Sequence, residues 1–142
     1  MQNAHNAYRN ATVETQKPPT RGDLLALAYT ELESSFGQWA GFPFGDPDPS
    51  RQIVEAKVRL LVVGLIAGIE PQETPLNRNL RGLLRFLLDT IDINDLERRK
   101  SALAVTAQLR EAFDSIREEA ALAERLGTIP SFSQRGNLSV VA

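Results

Sequence analysis

Four runs of apolar residues at helical spacing, separated by proline- and glycine-rich breaks, organise the chain between residues 20 and 127. The first run follows Thr20, which has Asp23 three positions on, the arrangement of a capping box. Leu24, Leu25, Ala28, Leu32 and Phe36 then recur on one face, and Gly37 is placed to end this helix. Residues 39–50, "WAGFPFGDPDPS", hold three prolines, two glycines and three aromatics, which predicts a loop packed back onto the body. Asp48-Pro49 suits the start of a second helix, since proline fits the first helical position. That helix is predicted to reach about Ile69 and is apolar on all sides from Leu60, as expected of a central helix.

Glu70-Pro71-Gln72-Glu73 breaks the pattern and Thr74-Pro75 restarts it. Leu76, Leu80, Leu83, Leu84, Leu87, Leu88 and Ile91 make one wide apolar stripe, with Arg78, Arg81 and Arg85 opposite. Asn94-Asp95-Leu96-Glu97 opens a fourth, longer helix. Its core positions step 4-3-4-3 through Leu109, Phe113, Ile116, Ala120 and Ala123, and Gly127 and Pro130 end it. No stretch alternates as a strand does. The predicted fold is therefore all-α: an antiparallel four-helix up-down bundle over residues 20–127, with an extended N-terminal arm over 1–19 and a flexible C-terminal tail over 128–142. Tyr8 and Val13 are isolated apolar residues in the arm, and Pro18-Pro19 stiffens its junction with the first helix.

Composition narrows the chemistry. A net charge of −2 and a pI near 5.5 supply no basic field for nucleic acid. The absence of cysteine excludes disulfides and thiolate zinc sites and suits a reducing compartment. The longest apolar run, ten residues over 60–69, falls short of the roughly 20 that a bilayer needs, so no membrane insertion is expected. No secretory signal is read at the start of the chain, and a cytoplasmic location is expected.

Candidate catalytic groups are sparse. The one histidine, His5, lies in the arm, so histidine-based acid–base or metal chemistry has little material. Asp89, Asp92, Asp95 and Glu97 cluster where the third helix meets the fourth, but acids at a helix start are ordinary partners of its dipole. Di-iron bundles use Glu-x-x-His pairs, which are missing, and no glycine-rich phosphate loop occurs. Arg21-Gly22-Asp23 reads as a helix start, and Arg98-Arg99-Lys100 as a solvated helix face. The expectation is a binding protein that is not an enzyme and needs no cofactor or metal.

Three ordered blocks carry a family resemblance. Ala7-Tyr8, Val13-Glu14-Thr15 and Pro18 precede a Leu-rich helix with Tyr29. Asn79-Leu80-Arg81-Gly82-Leu83-Leu84-Arg85-Phe86-Leu87 follows on the third helix, then Ile93, Asp95 and Leu109-Arg110-Glu111-Ala112-Phe113. Together they resemble the FliS-type flagellar secretion chaperones over roughly residues 5–117. The resemblance implies a cytoplasmic chaperone that binds the disordered C-terminal segment of flagellin, prevents premature polymerisation and assists export, with the export gate as a further contact. It implies partner contacts at Tyr8, Val13, Thr15, Leu24, Leu25, Tyr29, Asn79, Leu80, Leu84, Phe86, Leu87 and Ile93. Tyr8 and Val13 would then cover an empty apolar groove, in which Leu80, Leu84, Phe86 and Leu87 stay partly exposed unless they are core. The alternative is a helical adaptor or self-associating bundle without an export client. The chain is expected to be a monomer or weak homodimer.

Overall fold

A computed structural model describes residues 18–127 as four helices: α1 (Arg21–Ala40), α2 (Pro49–Ala67), α3 (Pro75–Ile91) and α4 (Leu96–Arg125). Among the described residues there is no strand. The expectations for His5, Tyr8, Val13, Thr15 and Pro130 fall outside the described residues.

The caps form as the local chemistry requires. Thr20 Oγ1 accepts from the Asp23 amide while the Asp23 carboxylate accepts from the Thr20 amide, each at 3.1 Å. Asp48 caps Pro49 and Thr74 caps Pro75, where the ring's missing N–H costs nothing. α4 is capped by Asp95, whose carboxylate accepts from the Arg98 amide. Gly127, with φ of +72°, closes α4 in the left-handed conformation that glycine adopts without penalty.

Side chains tie each neighbouring pair together, and for two of the pairs they also give the direction. Arg110 Nε donates to Glu33 at 2.8 Å, and Phe113 stacks on Tyr29 with ring centres 4.2 Å apart, so α4 runs antiparallel to α1. Trp39 Nε1 donates to Glu55 and Arg21 pairs with Glu70, which does the same for α1 and α2. Arg59 donates twice to Asp92, at 2.5 and 3.4 Å, across α2 and α3, and this pairing holds the Asp92 carboxyl below its ordinary pKa. Arg98 Nε donates to Thr90 across α3 and α4. The result is an antiparallel four-helix bundle in which sequential helices are neighbours and α4 closes against α1. Tyr29, Leu32, Phe36, Trp39, Val58, Val62, Leu84, Leu87, Ile91, Ala102 and Leu109 form the core.

Four expectations are corrected. Gly37 does not end α1; the helix runs on to Ala40 and carries Trp39 into the core at 1% exposure. An interior glycine costs about 1 kcal/mol, whereas burying a large aromatic gains about 1.5–3 kcal/mol, so the extra turn wins. The loop therefore covers residues 41–48. Second, α2 is not a central helix, because it packs on α1 and α3 and leaves its outer face to solvent. Third, Ile116 is 56% exposed and lies outside the core line. Level with Thr90 at Arg98, α3 begins level with about residue 113 of α4, so beyond that point α4 loses one neighbour.

The fourth correction concerns Arg98-Arg99-Lys100, of which only Lys100 is a solvated residue. Arg98 lies over the Phe86 ring at 4.5 Å. Arg99 is 6% exposed and sandwiched between Trp39 and Phe44, 4.2 and 4.0 Å from the two ring centres. Its Nη1 donates to the carbonyls of Ala40 and Phe42, at 3.2 and 2.8 Å. Ala40 is in the last turn of α1, where its carbonyl has no helical partner, so the cation satisfies it at the end that the helix dipole also favours. Burial lowers the Arg99 pKa from its ordinary value and the nearby Arg51 adds to that, with Glu55 opposing.

Arg99→Ala is expected to cost about 2–4 kcal/mol, the combined worth of desolvated stacking and charged hydrogen bonds. Arg99→Lys should recover less than roughly half, because an ammonium cannot stack as a plane between two rings. Urea unfolding followed by the fluorescence of Trp39, the only tryptophan, measures both. Equal stability of Arg99→Lys and the parent would show that charge alone holds this corner.

Candidate functional site: the outer face of α2 and its groove with α3

The apolar residues of α2 are too many for the two helices beside it. Val58 and Val62 are fully buried, and Val54, Leu61, Leu65 and Ile66 pack at the core margin. Ile53, Leu60 and Val63 are 71%, 75% and 51% exposed, values suited to charged residues on a solvated helix. With the exposed Ala56 and Ala67 they step 3-4-3-4 along α2, placing five apolar positions on one outward seam. Lys57 is the only charge among the exposed residues from Gln52 to Ala67, and it is already paired with Glu31.

Beside this seam an open groove separates α2 from α3. It is lined by Val63, Ile66 and Ala67 on one side and by Arg85, Leu88 and Asp89 on the other. The floor is apolar, and one cation and one anion stand four residues apart on the α3 rim. That arrangement suits an apolar segment laid along the groove. Among the described residues no group of three or more His, Cys, Asp or Glu side chains could hold a metal ion, and no helix is long and apolar enough to cross a membrane.

The stripe predicted on α3 divides three ways. Leu84 and Leu87 have no exposed surface, and with Ile91 they are core. Tyr29 is likewise core at 1% exposure, and burial pushes its hydroxyl pKa up. Leu25 and Leu80 are half-buried against the core, and Phe86 is half-buried beneath Arg98. Leu24, Asn79 and Ile93 are exposed, Leu24 at 55%. Of the residues named from the resemblance, then, Tyr29, Leu84 and Leu87 are not accessible to a partner in this folded form. Those on the surface are scattered over α1, α3 and the α3–α4 turn, and the residues lining the groove are different ones.

Ile53, Leu60 and Val63 were missed although the signal was present in the sequence. A helix apolar on all sides reads equally as a central helix and as one with an unfilled outer face, and only the number of neighbours separates the two.

Leu84→Ala is expected to cost about 2–5 kcal/mol, as for other buried leucines. Leu60→Ala should stay within about 0.5 kcal/mol, as for surface positions. Thermal or urea unfolding of the two variants checks the division between core and outer face.

No family model, no curated protein and no solved structure matches this chain.

Proposed function

We propose that this protein is a helical binding module that holds an apolar, otherwise unfolded segment of another protein against α2 and α3. The observation that supports this is the uncharged outer seam of α2 running into the open groove lined by Val63, Ile66 and Leu88. Contiguous exposed apolar surface on a folded domain marks an interaction site far more often than scattered single residues do. A segment entering as an amphipathic helix would present its own residues at three- and four-residue spacing to match Ile53, Leu60 and Val63. Ordering such a segment costs about 2–5 kcal/mol, so the seam must be long and continuous for it to be held.

The resemblance of the Asn79–Leu87 block and the Leu109–Phe113 block to FliS-type chaperones is what suggests flagellin as the client. In this reading the protein keeps the C-terminal segment of flagellin from polymerising in the cytoplasm and assists its export. It works by covering apolar surface and needs no catalytic group or cofactor.

Co-expression with flagellin from the same organism is expected to give a complex of one chaperone to one flagellin, in which the flagellin C-terminal segment resists proteolysis. Leu60→Asp should weaken the complex at least roughly tenfold, about 1.4 kcal/mol, without lowering the melting temperature of the free protein, because Leu60 is exposed. Flagellin that stays soluble and equally protease-sensitive with or without this protein would remove the chaperone reading.

A further inference from the structure

Where α4 begins, Leu96, Phe44 and Ile93 are 58%, 38% and 39% exposed and make an apolar corner at the end of the bundle. We propose that this corner receives the C-terminal end of a helix from another protein, apolar on its contacting face and carrying Lys or Arg in its last turn. The corner uses neither the seam of α2 nor the groove beside it, so it does not rest on the client reading.

The unequal ends of α1 and α4 create the corner. Phe113 on Tyr29, Arg110 with Glu33 and Arg99 with the Ala40 carbonyl all match the two helices in one register. That register sets Ala40 level with about residue 102, so α4 begins about 9 Å beyond the end of α1. Leu96 precedes Arg99 by one turn on the side of α4 turned to α1, but at its own level α1 has ended. The loop faces it there. Side chains on a helix slope toward its N-terminus, so the Arg99 guanidinium reaches back toward the level of Leu96, with the Phe44 ring 4.0 Å from it.

Arg99 shows what the corner lacks. Its Nη1 donates to Ala40 and Phe42, but its Nε is buried with no acceptor, the only such side-chain atom among the described residues. A buried donor left unpaired is destabilising, and a carbonyl brought in beside Phe44 removes that cost. A helix C-terminus presents carbonyls with no internal partner, and α1 already binds Arg99 in this way through Ala40. Phe44 is the wall of the cage that belongs to a loop, and it precedes Gly45, whose φ of +71° is open to glycine without penalty. It is therefore the wall that turns aside for an incoming group.

Charge selects the sequence of that helix end. Asp46, Asp48, Asp95 and Glu97 lie in the loop and at the start of α4, bordering the corner. The nearby cations are drawn elsewhere: Arg51 donates to the Asp46 carbonyl and to Glu55, and Arg98 donates to Thr90. Lys100 is exposed and paired with Glu97. Among the described residues no three carboxylates are placed to hold a metal ion, so these acids form a spread border. Such a border attracts basic side chains and repels nucleic acid and anionic lipid. The helix dipole also favours Lys and Arg in a last turn, so free carbonyls and basic residues arrive on one element.

The probe is a synthetic amphipathic helix of leucine, alanine and glutamine with two lysines in its last turn, titrated into the full chain by calorimetry. It is expected to bind and to change the fluorescence of Trp39, the other wall of the cage. Leu96→Ala should weaken binding at least roughly tenfold through lost apolar contact, with no fall in melting temperature, because Leu96 is exposed. Glu97→Gln should weaken it about two- to fivefold at low salt and leave it unchanged at high salt, as for one exposed ion pair. Leu60→Asp should have no effect.

No binding to the parent chain overturns the proposal, as does a Leu96→Ala chain with the parent's affinity. A peptide with its lysines moved to the first turn that binds equally well also overturns it. Binding lost in Leu60→Asp, or binding that leaves Trp39 unchanged, places the peptide elsewhere on the bundle with the same consequence. None of these outcomes bears on the client reading, which flagellin capture decides.

Discussion

Arg99 lies where three parts of the chain have to meet. A guanidinium taken out of water needs hydrogen-bond acceptors and polarisable surface in return. The end of α1 and the following loop offer both, as the carbonyls of Ala40 and Phe42 and the faces of Trp39 and Phe44. Holding that one cation, through the two bonds of its Nη1 and the two ring faces, fixes the start of α4 against the end of α1. The register then follows down the pair, through Arg110 with Glu33 to Phe113 on Tyr29. Trp39 carries the constraint to α2 through its bond to Glu55, which also receives Arg51. The proline-rich loop is held because Phe44 forms one wall of the cage and the Arg51 guanidinium donates to Asp46 O.

Once α1 is tied to α4 at this corner, α2 and α3 fill the remaining sides of the square. Each has only two neighbours, so each keeps an outer face. For α3 and α4 that face carries charge, including Arg78, Arg85, Glu111 and Arg117. For α2 it carries Ile53, Ala56, Leu60, Val63 and Ala67. Hydrophobic stabilisation scales with area removed from water, so α2, whose exposed apolar residues form a seam broken by no charge, has substantial stabilisation still to gain from association. The client proposed above is one way of gaining it.

The chemistry of the surface points the same way. The ion pairs Arg21–Glu70, Lys57–Glu31, Arg59–Asp92 and Arg110–Glu33 run between helices and are spent on holding register. Exposed pairs of this kind contribute at most about 1 kcal/mol each, so their effect is more on which helices align than on overall stability. Asp92, one of the carboxylates that clusters in sequence near the α3–α4 turn, is taken up in this way.

Much of this was legible from residue types alone. Thr20 with Asp23, Asp48-Pro49, Thr74-Pro75 and Gly127 fix helix ends by local hydrogen bonding and backbone geometry, which involve only neighbours in the chain. Periodicity likewise separates helix from strand without reference to the rest of the fold. Gly37 misled because its cost is local while the gain from burying Trp39 is tertiary. Arg99 read as a solvated residue because its cage is assembled from Trp39 and Phe44, some sixty positions away in the chain. Leu84 and Leu60 could be exchanged in any composition-based reading, yet one is sealed and the other lies in water. The sequence by itself determined four capped, antiparallel helices, since caps, breaks and spacing act at short range. Which leucines became core and which became a binding face was decided only by the number of helices beside each one.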